Sequence, residues 1–208
     1  MKLKISFVGS DKIFKNYSQA AQDIFVLVCL DGKRNGTFLD LGCNHPTIIN
    51  NTYLLEKEFD WIGVSIDIAT SMTNLYGDRK TTVLNEDCTK LDFKKIKDYF
   101  SSNHIDYLSL DLEPASVTLD CLRTIPFNDI EFSIITYEHD SYRFGNLYRN
   151  SSREIIEKFG YKRICSDVKN EKNSFEDWYY NPKFVPSDRI KSLESDSLEW
   201  RKILEFAL

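Results

Sequence analysis

No two of the five cysteines, at positions 29, 43, 88, 121 and 165, stand in a C-x-x-C pair, and their number is odd. A disulfide framework is therefore not expected, and the thiols read as reduced and partly buried. No basic block interrupts the mixed charges, whose formal sum is -5. A nucleic-acid partner and a membrane surface are both disfavoured on that ground. No apolar run approaches membrane-spanning length, and the opening stretch from Met1 to Val8 is too short for a signal peptide, so a soluble, cytoplasmic protein is expected. Internal repeats and low-complexity segments are lacking as well. What is present is apolar mass. Hydrophobic residues make up 42% of the chain, with 14 Phe and 11 Tyr, a load that a disordered chain does not carry. A length of 208 residues fits a single domain, 1–208. We expect an N-terminal cap to about 35, an α/β core over 36–182 and a C-terminal helix over 183–208.

The order of elements alternates. Ala20, Ile24, Leu27 and Val28 share one helical face, which predicts a helix over about 18–30. Asn35-Gly36 marks a turn, and a short apolar strand follows at 37–41. Ile48, Thr52, Leu55 and Phe59 predict a second helix. Further strands are expected at 61–66, 81–84, 106–112 and 132–137, with helices at 69–76, 93–101, 116–123 and 151–159. Two extended stretches, 161–168 and 175–181, suit an antiparallel edge hairpin. The tail over 188–206 reads as helix, with Ile190, Leu193, Ile203 and Phe206 as its apolar residues. Near-continuous apolar strands separated by helices imply a mostly parallel, doubly wound sheet of seven strands, Rossmann-like in type and covered on both faces.

In such sheets ligands bind beyond the carboxyl ends of the strands. The first strand, whose fourth residue is Asp40, ends in Gly42-Cys43-Asn44-His45-Pro46. The second ends in Asp67-Ile68, the third in Glu86-Asp87-Cys88, the fourth in Asp111-Leu112-Glu113 and the fifth in Glu138-His139-Asp140. Clustered carboxylates repel one another, so a purely structural sheet has no use for this rim. Gly42 would allow close backbone approach to a ligand, or would serve as a plain turn glycine. Asp67 could accept both hydroxyls of a ribose, or cap a helix. Asp87 could accept an adenine amino group, or cap the next helix. A dinucleotide is disfavoured, because its pyrophosphate needs the glycines of G-x-G-x-x-G and this turn has one.

Asp111 and Glu138 should end neighbouring strands. Two carboxylates so placed could hold a Mg²⁺ ion, or position substrate directly. His139 is a candidate general base, or a hydrogen-bonded rim histidine. His45 is expected to shape its turn, and His104 to lie at the surface.

Taken in order, Tyr17-Ser-Gln-Ala-Ala-Gln-Asp23, the stretch Asn35 to Pro46, Asn51-Thr52-Tyr53, Trp61 to Asp67, Asp106 to Glu113, Glu138-His139-Asp140 and Phe175-Glu-Asp-Trp178 resemble the FkbM-type methyltransferases over about residues 17–182. The resemblance implies a class I methyltransferase fold, S-adenosylmethionine (SAM) as donor, and O-methylation of a sugar or another small molecule. It implies cofactor contacts at Gln22, Gly42, Asn44, Asp67 and Asp87, to which the flanking Asp40, Cys43, Ile68, Cys88 and Asp111 are added. The expected catalytic set is Asp111, Glu113, Glu138 and His139, with Asp111 and Glu138 as metal ligands if Mg²⁺ assists. The chain differs from many members in having His45-Pro46 for Asp-Gly and Pro114 for Gly.

Two other readings stay open. One is a nicotinamide-dependent oxidoreductase. The other is a non-catalytic module on the same fold that offers Tyr142, Tyr148 and Trp178 to a partner. The identity of the acceptor and the oligomeric state are not legible in the sequence.

Overall fold

The computed structural model describes residues 7–207, without the side chains of Lys12, Arg189 and residues 205–207. Most of the opening apolar run and the Phe206 side chain lie outside the described residues. Seven strands form one sheet: β1 (Thr37–Leu41), β2 (Ile62–Asp67), β3 (Thr82–Asn85), β4 (His104–Leu110), β5 (Glu131–Glu138), β6 (Lys162–Asn170) and β7 (Asn173–Tyr180). Their order is β3-β2-β1-β4-β5-β7-β6. All neighbours run parallel except the β6–β7 hairpin, which places β7 antiparallel to β5. Successive strands are added outward on one side of β1 and then on the other, so the crevice at the carboxyl ends of β1 and β4 is the switch point where such sheets bind ligands.

The helices are α1 (Gln22–Cys29), α2 (Tyr53–Phe59), α3 (Thr70–Thr73), α4 (Phe93–Lys97), α5 (Ala115–Thr124), α6 (Ser141–Phe144), α7 (Asn146–Lys158), α8 (Ser187–Ile190) and α9 (Arg201–Ala207). Strand side chains alternate between two cores, as a pleated sheet requires. Phe38, Tyr107 and Ile134 join α1, α2 and the tail on one face, while Leu39, Leu108 and Ile135 join α4, α5 and α7 on the other. Every residue of α1 is buried, which explains why its sequence is apolar nearly all round. The α7 helix ends at Gly160, whose φ of +86° suits the left-handed residue that closes many helices.

Three expectations are corrected. The helix expected from Ile48 begins only at Tyr53, because Asn50 organises the preceding residues as a loop. Its Nδ2 donates to the carbonyls of Cys43 and His45, and its Oδ1 accepts from the amides of Thr52 and Tyr53. Ile48 and Ile49 consequently stand exposed. The tail is not one helix. Residues 194–200 run along the β6 edge, where the Ser166 amide donates to the Ser195 carbonyl at 2.8 Å and the Lys169 amide to the Leu198 carbonyl at 2.8 Å. An edge strand presents unpaired backbone groups, and this segment satisfies them. Finally, α6 was not anticipated.

Candidate functional site

The sheet's carboxyl end opens into a cavity of about 800 Å³. Its floor is the turn after β1. The amides of Gly42 and Cys43 both donate to the Ile66 carbonyl, at 2.9 and 3.1 Å, which locks this turn to β2. Gly42 has φ +89°, and a Cβ built there would lie 1.8 Å from the Asp111 carbonyl oxygen. The glycine is therefore required by the close approach of β4 as well as by its backbone angle. Asn44, also left-handed at φ +47°, donates its amide to Asp67 Oδ2 at 2.9 Å. Asp67 Oδ1 accepts from the Ala69 amide at 2.8 Å. Asp67 thus caps local backbone and still lines the cavity, each oxygen keeping a free lone pair.

Asp40, Cys43, Ile68 and Cys88 line the same space. Asp40 is buried and accepts from the Thr52 hydroxyl at 3.1 Å. Burial pushes its carboxyl up to about 6, against the pull of Ser109 and of Arg79. Arg79 is a cation that the sequence reading missed. It sits buried behind the β1 turn, where its guanidinium is held by Glu56, the Pro46 carbonyl, Asn50 and Thr52. Tyr76 was missed too; its hydroxyl donates to the Cys43 carbonyl at 2.9 Å. No local pattern marks either residue, because both act on the turn from more than thirty positions away. His45 shapes the turn as expected, its Nδ1 accepting from the amides of Thr47 and Ile48.

Asp87 caps the turn that follows β3 and also lines the cavity. It accepts from the Thr89 amide at 3.0 Å, pairs with Lys90 at 2.7 Å, and remains on the cavity wall. The Lys90 contact and the Thr89 bonds hold its carboxyl down at about 2.

Asp111 and Glu138 come together. Their carboxyls lie within hydrogen-bonding reach of each other and face the cavity. Burial pushes Asp111 up, with Asp140 and Asp67 adding repulsion. Burial and the Asp111 charge push Glu138 well above the usual glutamate range. Such a pair holds one proton between its members, because two adjacent buried charges repel. Behind it lies Glu176, the β7 residue paired with Glu138 in register. It accepts from Gln22 Nε2 at 3.0 Å and Trp178 Nε1 at 2.6 Å, and burial raises it to about 8.

Four expected site residues are placed elsewhere or used otherwise. Gln22 does not line the cavity; its amide is consumed by Glu176 and by the Ala20 amide. His139 is fully buried and does not reach the cavity. Its Nδ1 accepts from the Ser141 amide, and its Nε2 lies 3.6 Å from Asp177 Oδ1. A strand end sends successive side chains to opposite faces, so Glu138 and His139 could not both point into one pocket. Glu113 stays at the mouth, exposed, where Arg143 links it to Asp140. Trp178 is not a surface aromatic; it packs in the core on Phe25, with ring centroids 4.4 Å apart. Tyr148 is only partly buried against the other core, whereas Tyr142 does line the cavity.

The donor set does not fit a Mg²⁺ ion well. Asp111 and Glu138 bring two carboxyl groups together, and among the described residues no third His, Cys, Asp or Glu ligand atom joins them. Among the described residues, only His139, Asp167 and Asp177 bring three ligand atoms close together. Arg149 and Arg153 already bind both of those acids.

Eight carboxylates line the cavity, at Asp40, Asp67, Asp87, Asp111, Glu113, Asp120, Glu138 and Asp140, with no Lys, Arg or His among the lining residues. Apolar wall comes from Ile68, Met72, Leu112 and Val117. Such a space favours a cation that also carries an apolar or aromatic body, and it repels phosphates.

No family model matches the chain. A curated relative, the UDP-N-acetylmuramoyl-L-alanyl-D-glutamate–2,6-diaminopimelate ligase 1 of Clostridium acetobutylicum, is 25% identical over 146 residues. That match takes in 64% of this chain and 30% of the ligase, so the likeness spans under a third of that relative's length. Solved structures agree more broadly. The magnesium protoporphyrin IX methyltransferase of Synechocystis PCC 6803, determined with bound SAM, superposes with a TM-score of 0.54 at 13% identity, over 77% of this chain and 78% of that one. A SAM-dependent methyltransferase of Aquifex aeolicus gives 0.52 at 16% identity, over 82% and 97%. An rRNA methylase of Streptococcus thermophilus gives 0.50 at 11%, over 81% and 98%. The seven-stranded sheet of this chain, mostly parallel with an antiparallel edge, is thus the Rossmann-like fold of the class I SAM-dependent methyltransferases.

Proposed function

We propose that the chain is a SAM-dependent methyltransferase acting on a hydroxyl oxygen of a small molecule or sugar. The observation that carries this reading is the cavity at the switch point of a methyltransferase-type sheet, lined by eight carboxylates and no base. SAM is cationic at its sulfonium and amino groups and has no phosphate, so this lining suits it, whereas a nicotinamide dinucleotide would meet only like charge. The acid rim equally disfavours a polyanion such as RNA. The FkbM-type motifs favour a hydroxyl acceptor and not a base or porphyrin. Five free, buried thiols accord with a reducing cytoplasmic setting. Among the described residues, no helix is long and apolar enough to cross a membrane.

When bound, SAM supplies a methyl group on a positively charged sulfur. Asp67 and the β1 turn would hold the nucleoside part, with Ile68 and Met72 as apolar walls. The ionised member of the Asp111–Glu138 pair, on the cavity wall, would accept the acceptor's hydroxyl proton. The cavity walls would hold that oxygen in line with the methyl group, whose transfer would leave the sulfur as a neutral thioether. Orientation of the acceptor within the cavity would contribute about 7–11 kcal/mol. No step is assigned to His139, Glu113 or a metal.

Calorimetric titration with S-adenosylhomocysteine (SAH) tests the reading. Saturable binding, weakened in Asp67→Ala, is expected. Absence of binding, or tighter binding of NADH, would overturn it and leave the oxidoreductase alternative standing.

A further inference from the structure

A second pocket of about 100 Å³ adjoins the cavity, with Gln19, Glu138, Asp140 and Tyr142 lining both. Its remaining wall comes from distant parts of the chain. Asn170 and Asn173 flank the β6–β7 turn, Phe175 lies on β7, and Trp200 follows the segment that runs along the β6 edge. The chamber has room for several waters, yet it is far smaller than the main cavity, so it suits a substituent and not the body of a ligand. Two carboxylates, three side-chain amides and three aromatic rings line it, and no Lys, Arg or His does. Tyr142 is half exposed, with no ring or cation stacked on it among the described residues, whereas Phe175 is buried in the core and Arg201 stands 4.8 Å from the centre of the Trp200 ring. Arg143 binds Asp140 from outside the lining at 3.2 Å, which leaves Glu138 with only carboxyl neighbours.

Rings beside carboxylates form the environment that holds an ammonium group, by attraction to the π faces and direct charge pairing. We propose that this chamber receives a protonated amino group of the methyl acceptor, which is therefore an amino alcohol or aminosugar. The inference rests on the methyltransferase reading above. A hydroxyl in the same place would leave Glu138 without a counter-charge, and an acidic group would meet repulsion.

The test uses the full chain saturated with SAH and matched probes: glucosamine against glucose, galactosamine against galactose, and serinol against glycerol. At least one amine is expected to bind about tenfold tighter than its neutral match, as one desolvated cation–π contact would provide. Trp200→Leu keeps apolar bulk but removes the ring, and it should erase most of that preference while moving neutral probes less than about twofold. Should that variant fail to fold, Tyr142→Leu, at a half-exposed position, reads the same effect. If no amine outbinds its match while SAH binds, or if both variants weaken amine and neutral probes equally, the ammonium chamber is overturned and the methyltransferase reading survives. If SAH itself does not bind, the underlying reading fails.

Discussion

The carbonyl oxygen of Asp111 occupies the space where a side chain on Gly42 would begin, 1.8 Å from an ideal Cβ. The turn after β1 and the end of the strand that carries the proposed base are thus in direct backbone contact. Gly42→Ala must both separate them and hold a non-glycine residue at φ +89°. Strain of about 1–3 kcal/mol for the angle, and about as much for the overlap, is expected to lower stability by about 2–6 kcal/mol in total. Denaturant unfolding would read the loss, and SAH titration at low temperature should show weakened binding in whatever fraction stays folded.

Asp67 accepts two backbone amides and retains lone pairs toward the cavity. A charge-assisted bond to a ribose hydroxyl contributes about 1.5–3 kcal/mol. Asp67→Ala is expected to weaken SAH binding by about ten- to hundredfold, with unfolding curves showing a smaller effect. Unchanged affinity would move the nucleoside away from β2.

For the Asp111–Glu138 pair, removal of a general base costs about 10²–10⁴-fold in turnover. Glu138→Gln should show that loss with SAH affinity preserved. Both carboxyls are raised by burial, and the base works when one is ionised, so kcat should increase with pH across a midpoint above the ordinary glutamate value of 4.5. A flat profile, or full turnover by Glu138→Gln, would remove the pair from the mechanism.

A mechanism through the proton-sharing Asp111–Glu138 pair needs no metal, so turnover should persist in excess EDTA. Loss of activity in EDTA, restored by Mg²⁺, would show that a metal replaces the shared proton during catalysis.

Glu176 offers a stability test independent of any acceptor. Its carboxyl is fully buried and raised from 4.5 to about 8. The folded chain therefore binds a proton that the unfolded chain has released. The associated stability is complete below pH 4.5 and is lost as pH rises through about 8. Glu176→Gln imitates the protonated form, so it should flatten the decline in melting temperature between pH 5 and pH 8. A decline of equal steepness in the variant would assign it to other groups.

The parallel strands were legible in the sequence because each is short, apolar and bounded by polar turns. The first five strand positions, and the alternation of α1 and α5 with them, required no tertiary information. The rim acids at Asp40, Asp67, Asp87, Asp111 and Glu138 followed from the same pattern, since ligands sit beyond strand ends. The short helices were overextended because their apolar periodicity continues into loops that are held by single side chains, as Asn50 holds the one before α2.

What tertiary structure decided was the direction of each side chain and the identity of its partners. Glu138 and His139 are consecutive, and only the pleat of β5 shows that one faces the cavity and the other faces Asp177. Gln22 lies in a cofactor-like motif, but the fold turns its amide toward Glu176, more than 150 residues away. Arg79, which no motif marks, becomes the cation that supports the β1 turn. The same holds for Gly42. Its presence in the turn was plain from the chain itself, whereas the reason it must be glycine, the Asp111 carbonyl, exists only once β1 and β4 are side by side. Local sequence determines periodicity and backbone preference, while contacts between distant strands depend on a topology that no local pattern encodes.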